Sequence, residues 1–222
     1  MAVQILVADD HPLFRDAIKS AISVPLGDDL ETPVISEAGD FGSAMTVLNE
    51  NPEMDLVLLD LSMPGSSGLS ALVSVRAAFP AVPVIVISGT DDVTTVRRSV
   101  ELGASGFISK SARMEAIRKG VANVLAGEIA LPEGMNLGSE HDPEIEDLIR
   151  RIRTLTPQQA RVLGMLGEGL LNKQIAYELG VSEATIKAHV SAVLQKLNVD
   201  SRTQAVILLS KIGADMLRED QD

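Results

Sequence analysis

The sequence predicts an α/β protein in which a doubly wound, five-stranded parallel sheet is followed by an all-α domain of four helices. First, apolar runs alternate with helical patterns along residues 3–126, as is typical of parallel strands joined by helices. Second, the apolar runs are continuous, as expected for strands covered on both faces. Third, the turn Gly180-Val181-Ser182 lies between two helical segments, which predicts a helix-turn-helix.

The individual elements follow from these patterns. Strands are expected at residues 3–8, 34–35, 55–60, 83–88 and 106–109, and helices at 13–22, 41–50, 67–78, 92–102 and 112–126. After residue 127 the chain becomes irregular, with a short helix near 143–153, and four helices follow at 157–168, 173–179, 183–197 and 201–213. We therefore expect a first domain at 1–127, a linker at 128–153, and a second domain at 154–222 that ends in an acidic tail.

Composition limits the possible functions. The 222 residues include no cysteine, which excludes disulfides, thiolate metal sites and cysteine nucleophiles and fits a reducing compartment. The N-terminus has the pattern of neither a signal peptide nor a membrane span, so we expect a cytoplasmic protein with no membrane partner. A net charge of −12 argues against indiscriminate nucleic-acid binding. Residues 154–213 nevertheless hold six basic against four acidic residues, so any DNA contact must come from a local patch there.

Acidic residues follow two strands that we expect to be neighbours. Asp60 ends one apolar run, and Asp9 and Asp10 end the first. The carboxyl ends of parallel strands share one edge of the sheet, so these acids should lie together, where their mutual repulsion favours a bound oxygen-ligated cation such as Mg²⁺. Alone, Asp60 is equally compatible with capping the next helix, and Asp10 with capping the helix that begins near Pro12. Two adjacent acids exceed what a cap requires, so metal binding is the favoured interpretation.

Two further strands end in groups that complement these acids. Ser88 closes the fourth strand with a hydroxyl group, and Lys110 follows the fifth with an ammonium group. Separately, each has an ordinary explanation as a strand-end serine or a solvated lysine. Together with the acids they supply what an acyl phosphate on Asp60 needs, namely a metal, a hydrogen-bond donor and a fixed cation. The first strand is followed by neither GxGxxG nor a Walker-type loop, so nucleotide binding has little support.

This set of residues resembles the receiver domain of bacterial two-component response regulators, a flavodoxin-like fold. The resemblance covers residues 1–127 and rests on Asp9-Asp10, Asp60 with Met63-Pro64-Gly65, Ser88-Gly89, Phe107 and Lys110. It implies that Asp60 accepts a phosphoryl group from a phosphohistidine of a sensor histidine kinase. It also implies that Ser88 and Lys110 contact the phosphoryl oxygens and that Mg²⁺ is held by Asp9, Asp10, Asp60 and the backbone carbonyl of Ser62.

The same resemblance implies a conformational switch. Ser88 is expected to move towards phosphorylated Asp60, and the ring of Phe107 then turns into the space that is left, without burying an unsatisfied hydroxyl group. The alternative is that Phe107 belongs to the core in both states. Two positions depart from the family pattern: Ser111 stands where many receivers have proline, and Gly89 where alanine is commoner. The resemblance therefore does not extend to the rigidity of the adjoining loops.

The second domain carries three helix-start signals. Thr156-Pro157-Gln158-Gln159 is a capping box, Asn172 is expected to cap the next helix, and Ser182 the longer one after it. Along the longer helix, one face is apolar and the other small and polar; the inward residues are Ile186, Val190, Val193 and Leu197, and the outward ones Ala184, Lys187, Ala188, Ser191 and Gln195. The outward face suits a DNA major groove, although an ordinary solvated face would have the same composition.

The whole of residues 154–213 resembles the LuxR-type DNA-binding domain. The matching motifs are Leu155-Thr156-Pro157, Gly169, Asn172-Lys173, Ile175-Ala176, Leu179, Val181-Ser182, Thr185-Ile186-Lys187-His189, Lys196-Leu197 and Ser201-Arg202-Thr203-Ala205. With a receiver this gives the architecture of the NarL/FixJ family of transcription regulators. By position, Lys187, Ala188 and Ser191 would meet bases, while Lys173, Thr185, Lys196, Arg202 and Thr203 would approach phosphates. The last helix would pair with its twin in a homodimer, with Val206, Leu209 and Ile212 as possible contacts.

The leading hypothesis is a phosphorylation-dependent, double-stranded-DNA-binding transcription regulator rather than an enzyme. We expect the acidic receiver to cover the recognition helix until Asp60 is phosphorylated. A second hypothesis is a metal-dependent phosphohydrolase that uses Asp60 as nucleophile; the haloacid-dehalogenase-like enzymes, however, need an acid where Ser62 stands. A third hypothesis is a receiver whose C-terminal helices bind another protein instead of DNA, because those helices carry few basic residues.

Overall fold

The computed structural model describes residues 2–26, 31–65, 68–135, 137 and 143–213, without the side chains of 145 and 210–213. Its strands are β1 (Gln4–Ala8), β2 (Val34–Ala38), β3 (Leu56–Asp60), β4 (Val84–Ser88) and β5 (Gly106–Ser109). They form one sheet in the order β2-β1-β3-β4-β5, and every pair is parallel. The predicted doubly wound parallel sheet is therefore confirmed.

Helices alternate with these strands and then continue alone. In the sheet domain they are α1 (Pro12–Ile22), α2 (Phe41–Glu50), α3 (Ser70–Ala78), α4 (Val93–Glu101) and α5 (Met114–Leu125). Beyond it lie α6 (Pro143–Ile152), α7 (Pro157–Gly167), α8 (Asn172–Glu178), α9 (Glu183–Leu197) and α10 (Arg202–Gly213). The expected start of α3 at residue 67 lies outside the described residues, and the helix as described begins at Ser70.

The sheet separates two apolar layers because successive strand residues point to opposite faces. On β1, Leu6 belongs to the cluster that includes Leu72 of α3, whereas Ile5 belongs to the cluster that includes Ile18 of α1. The central strand β3 is buried along its whole length. Its last residue, Asp60, is therefore presented at the carboxyl edge of the sheet by a strand that is fixed on both faces.

Local hydrogen bonds explain where the C-terminal helices begin. Thr156 caps α7, since its hydroxyl oxygen accepts from the backbone N–H of Gln159 at 3.3 Å, and Ser182 caps α9 by accepting from the N–H of Thr185 at 3.1 Å. The expected cap at Asn172 is wrong, because Asn172 is already the first residue of α8. The side chain of Gln174 instead accepts from the backbone N–H of Leu171 at 2.7 Å and holds the entry to the helix.

The two domains meet through α3 and α7. Leu72 of α3 and Leu163 of α7 belong to one buried apolar cluster that continues from the sheet into the C-terminal helices. Ser74 of α3 is also buried at this boundary, where its hydroxyl group lies 3.5 Å from the carbonyl oxygen of Ala160 in α7. The receiver-like domain thus contacts the first helix of the C-terminal domain.

The outward face of α9 remains exposed. Ala184, Lys187, Ala188, Ser191 and Gln195 are all solvent-exposed. The expectation that the acidic domain covers this helix is therefore wrong for the structure described here, because the domain contact is made by α7. Among the helices described, none combines the length and the apolar character needed to cross a membrane.

Candidate functional site

Four side chains converge at the carboxyl edge of the sheet. Asp9 follows β1 and Asp60 ends β3, and the two strands are paired in register, with Ala8 opposite Leu59. Asp10 and His11 complete the group, and each of the four offers a ligand atom within 4.8 Å of the others. Asp9 and Asp60 are almost completely buried. The sheet topology therefore brings the predicted acids together in one pocket.

Lys110 ties the two buried acids together. Its Nζ lies 2.8 Å from Asp9 Oδ2 and donates to Asp60 Oδ2 at 2.9 Å. Burial raises the pKa of the Asp60 carboxyl, although the hydrogen bond from Lys110 and its charge oppose that rise. Burial alone would lower the pKa of Lys110, but its close interactions with the carboxylates of Asp9 and Asp60 outweigh this effect and raise it. The ammonium group consequently remains charged beside a carboxylate that is costly to ionise.

Two buried carboxylate oxygens of this pocket accept no hydrogen bond. They are Asp9 Oδ2 and Asp10 Oδ1; Lys110 Nζ lies 2.8 Å from the first, and His11 Nδ1 lies 2.6 Å from the second. Neither contact is a hydrogen bond by its geometry, so each oxygen keeps lone pairs for a metal ion. Buried, unsatisfied oxygens from several carboxylates are the donor set that a hard divalent cation prefers. The residues present therefore fit such an ion.

The other predicted pocket residues lie on the same edge. The backbone N–H of Ser62 donates to Asp60 Oδ1 at 3.1 Å, which orients the carboxylate. Ser88 is buried at the end of β4, its Oγ accepts from the N–H of Thr90 at 3.1 Å, and its carbonyl oxygen accepts from the N–H of Lys110 at 2.7 Å. Phe107 is already buried, with 1% of its surface exposed. Its burial is compatible with the interpretation of a core residue, and the switch role of Phe107 stays a prediction.

Residues on α1 complete the pocket, and the sequence alone did not reveal them. The ring centre of Phe14 lies 5.3 Å from Lys110 Nζ, a distance at which an aromatic face attracts a cation. Arg15 Nη1 donates to the carbonyl oxygen of Asp9 at 2.6 Å, and Arg15 Nε donates to Glu37 at 3.1 Å. His11 had a visible signal, since it directly follows the acid pair. No sequence signal indicated Phe14 or Arg15, because only the packing of α1 over β1 brings these two residues near Lys110 and Asp9.

The predicted DNA-contacting residues fall into two groups. Lys173, Thr185, Lys187, Ala188, Ser191 and Thr203 are exposed on α8, α9 and α10. Lys187 makes an ion pair at 3.0 Å with Glu183, one turn earlier on α9. An exposed pair of this kind is weak and is readily exchanged for a phosphate contact. These side chains are therefore accessible to a ligand from solvent.

Lys196 and Arg202 are half-buried and already have partners inside the domain. Lys196 Nζ donates to the carbonyl oxygen of Thr154 at 2.6 Å and to Gln159 Oε1 at 2.8 Å. Arg202 Nη2 donates to the carbonyl oxygen of Leu170 at 2.5 Å. Lys196 therefore joins the end of α9 to the start of α7, and Arg202 joins α10 to the loop before α8.

The apolar residues suggested for dimer contacts have different environments. Leu209 packs on α7, since a Cβ atom at Gly167 would lie 3.2 Å from Leu209 Cδ1. Val206 is half-buried, and the side chain of Ile212 lies outside the described residues. Ile207, on the same helix, is 51% exposed. Of the described apolar side chains of α10, Ile207 is thus more accessible to a second copy than Leu209.

Two family descriptions match this chain. One is "Response regulator receiver domain", which matches residues 5–122. The other is "Bacterial regulatory proteins, luxR family", which matches residues 153–209. The first match includes the acid pocket, and the second includes α7, α8 and α9.

Curated proteins and solved structures agree with these matches. The "Glycerol metabolism activator" of Pseudomonas putida is 38% identical over 92% of this chain and 93% of that protein. "Nitrate/nitrite response regulator protein NarP" of Escherichia coli K12 is 34% identical over 95% of this chain and 96% of that protein. RcsB from Salmonella enterica serovar Typhimurium, solved bound to a promoter with phosphomimetic BeF₃⁻, is 22% identical with a TM-score of 0.54, covering 96% of this chain and 100% of that one. The last likeness concerns the fold alone.

Proposed function

Because the chain belongs to the response regulators and joins a receiver domain to a LuxR-type DNA-binding domain, we propose that Asp60 accepts a phosphoryl group from a phosphohistidine of a sensor histidine kinase. The protein is a DNA-binding transcription regulator and not an enzyme. The phosphohydrolase and protein-docking hypotheses are accordingly set aside. The domain limits proposed are 1–127 for the receiver, 128–153 for the linker and 154–222 for the DNA-binding domain, and the proposed location is the cytoplasm.

The contact of Lys110 with both Asp9 and Asp60 carries this proposal. In the transfer, one carboxylate oxygen of Asp60 forms a bond to phosphorus, and the bond from phosphorus to the donor imidazole nitrogen breaks. The imidazole leaves with the electron pair and takes up a proton. Lys110, which already lies within 3 Å of Asp60 Oδ2, donates to the phosphoryl oxygens. Ser88 supplies a hydroxyl donor from the neighbouring strand end.

We propose Mg²⁺ as the cation of the acid pocket. Asp9, Asp10, Asp60 and the backbone carbonyl of Ser62 would hold it. When bound, the ion supplies charge neutralisation for the phosphoryl oxygens. The oxygens Asp9 Oδ2 and Asp10 Oδ1 support this assignment, because buried carboxylate oxygens that accept no hydrogen bond are suitable ligands for a hard cation.

DNA binding is proposed for the exposed face of α9. Lys187, Ala188 and Ser191 would meet base edges, while Lys173, Thr185 and Thr203 would approach phosphates. Lys196 and Arg202 would reach phosphates only by leaving their internal carbonyl partners or by sharing their remaining hydrogens. A homodimer through α10 would double the phosphate contacts and offset the small number of cations on one copy.

The test is chemical modification of the full chain. Incubation with acetyl phosphate and Mg²⁺ should add the mass of one phosphoryl group, and peptide mapping should locate it at Asp60. Asp55→Asn is the matched control, because Asp55 immediately precedes β3 and lies at the opposite edge of the sheet. We expect full modification of Asp55→Asn and none of Asp60→Asn. Equal modification of Asp60→Asn and the unaltered chain would refute the assignment of the acceptor.

A further inference from the structure

A cavity lies where the receiver domain meets the end of the linker and the first residues of the DNA-binding domain, and none of its described lining residues belongs to the acid pocket or to α9. Its volume is about 360 Å³, within the range of small-molecule sites, which starts at about 300 Å³. The receiver side is lined by Val73, Arg76, Ala77, Pro80, Leu102 and Gly103, and the other side by Ile152, Arg153 and Leu155. Most of this lining is apolar. Among the described lining residues, the polar side chains are two arginines, one contributed by each side.

The two guanidinium groups bring positive charge to this cavity. Arg76 Nη1 donates to the carbonyl oxygen of Val82 at 2.7 Å, and Arg153 Nη2 donates to the carbonyl oxygen of Glu101. Both of these partners are uncharged. Burial lowers the pKa of Arg76, and the positive charge of Arg153 lowers it further. In a chain whose net charge is −12, this cavity places two cations near each other.

The glycine at position 103 leaves room for the side chain of Arg76. Gly103 has a φ of +98°, and a Cβ atom there would lie 3.2 Å from Arg76 Nε. A side chain at this position would both strain the backbone and press on the guanidinium group. Arg76 is thus held by the carbonyl oxygen of Val82 and lies beside the glycine turn. A guanidinium group has five N–H donors, and this bond uses one of them.

We propose that this cavity binds a small organic carboxylate that has an apolar body. The carboxylate would be held by Arg76 and Arg153, and the apolar body would contact Val73, Ala77 and Leu102. A carboxylate matches the planar donor pattern of a guanidinium group and compensates both cations. Because one wall belongs to the receiver domain and the other to the end of the linker and the first residues of the DNA-binding domain, the bound molecule stabilises the contact between them. This site is separate from phosphoryl transfer and does not depend on it.

The experiment is a ¹H–¹⁵N chemical-shift titration of the full chain with octanoate as the probe. We expect saturable shifts at the amides of Val73, Gly103 and Leu155, which represent both walls. Arg76→Gln and Arg153→Gln should each weaken binding at least about tenfold, the loss of one charged hydrogen-bonding partner. Arg118→Gln, which alters an exposed arginine of α5, should bind like the unaltered chain.

Three further arms separate charge, apolar contact and folding. Ala77→Leu leaves both arginines in place but fills the cavity, and it should abolish the shifts. Octan-1-ol, which lacks the charge, and inorganic phosphate, which lacks the apolar body, should both fail to displace octanoate at equal concentration. Absence of saturable shifts, equal binding by the Arg118 and Arg153 variants, unchanged binding by Ala77→Leu, or displacement by either competitor would each overturn the proposal.

Discussion

Ser74 of α3 lies against Ala160 of α7, with the serine hydroxyl group 3.5 Å from the alanine carbonyl oxygen. One turn further along α7, a Cβ atom on Gly164 would lie 3.3 Å from the same hydroxyl group. The loop that leaves Asp60 leads into α3, and Met63 in that loop is buried in the cluster that α3 and α7 share. We infer that α3 carries changes at Asp60 to the DNA-binding domain.

Enlarging Gly164 should therefore loosen the domain contact. Gly164→Val places extra methyl groups against Ser74, and overpacking of this kind costs about 1–3 kcal/mol. We expect a fall in Tm of a few degrees and about a fivefold gain in DNA affinity without phosphorylation, measured by fluorescence anisotropy. Ser74→Ala is the control: it removes only a long hydrogen bond and should change neither quantity appreciably. A Gly164→Val protein with unchanged DNA affinity would separate α3 from regulation.

Asp60→Asn should stabilise the fold. The folded-state pKa of Asp60 is raised above its usual value, chiefly by burial, so folding takes up protons and stability falls as pH rises from the unfolded pKa through the folded one. That loss persists at pH 7, and a neutral amide avoids it. Without divalent cations, we expect Tm to rise by about 2–4 °C, the effect of about 1 kcal/mol in a chain of this size. The gain should shrink near pH 3, where Asp60 is protonated in both states. A lower Tm for the variant at pH 7 would contradict this reasoning.

Magnesium should stabilise the protein through Asp9 and Asp10. Because the ion binds the folded pocket, a concentration of 100 times its Kd adds about 2.7 kcal/mol to the free energy of unfolding. We expect Asp10→Asn to lose most of that gain, measured as the difference in Tm with and without MgCl₂. Asp16→Asn changes an exposed acid of α1 that pairs with Lys19, and its response to Mg²⁺ should be unchanged. Equal stabilisation of both variants would place the ion elsewhere.

Substitution of Lys187 should affect DNA binding, whereas substitution of Lys196 should affect the free energy of unfolding. Lys196 donates to Thr154 and Gln159, so Lys196→Ala should lower the free energy of unfolding by about 1–2 kcal/mol. Lys187 is exposed, and Lys187→Ala should leave stability unchanged while weakening DNA binding by about 1–3 kcal/mol if it reads a base. Denaturant unfolding and anisotropy titrations measure the two effects. Loss of stability in the Lys187 variant would show that its role is structural.

Much of the fold and the acid pocket could be predicted because the signals are local. Continuous apolar runs fix the strands, and the position of an acid directly after such a run fixes its place at the sheet edge. Asp9, Asp60 and Lys110 were therefore expected near each other, and they are. The cap at Asn172 was wrong because Asn172 lies one residue inside the helix, and the side chain of Gln174 holds the entry instead.

What the sequence could not supply depends on tertiary contacts. Phe14 and Arg15 reach the pocket only because α1 packs over β1, and no spacing rule connects them with Lys110. The exposure of α9 could not be deduced either, since it follows from the packing of α3 on α7. The internal hydrogen bonds of Lys196 and Arg202 could not be predicted for the same reason, because each bond joins two residues that are distant along the chain.

The most direct measurement compares DNA affinity before and after phosphorylation. DNA fragments would first be selected from random sequences with the phosphorylated protein and then titrated by anisotropy. Acetyl phosphate with Mg²⁺ should raise the affinity of the unaltered chain and of Asp55→Asn by at least about tenfold, and it should leave Asp60→Asn unchanged. Equal affinities with and without acetyl phosphate, or an equal gain in Asp60→Asn, would contradict control of DNA binding through Asp60.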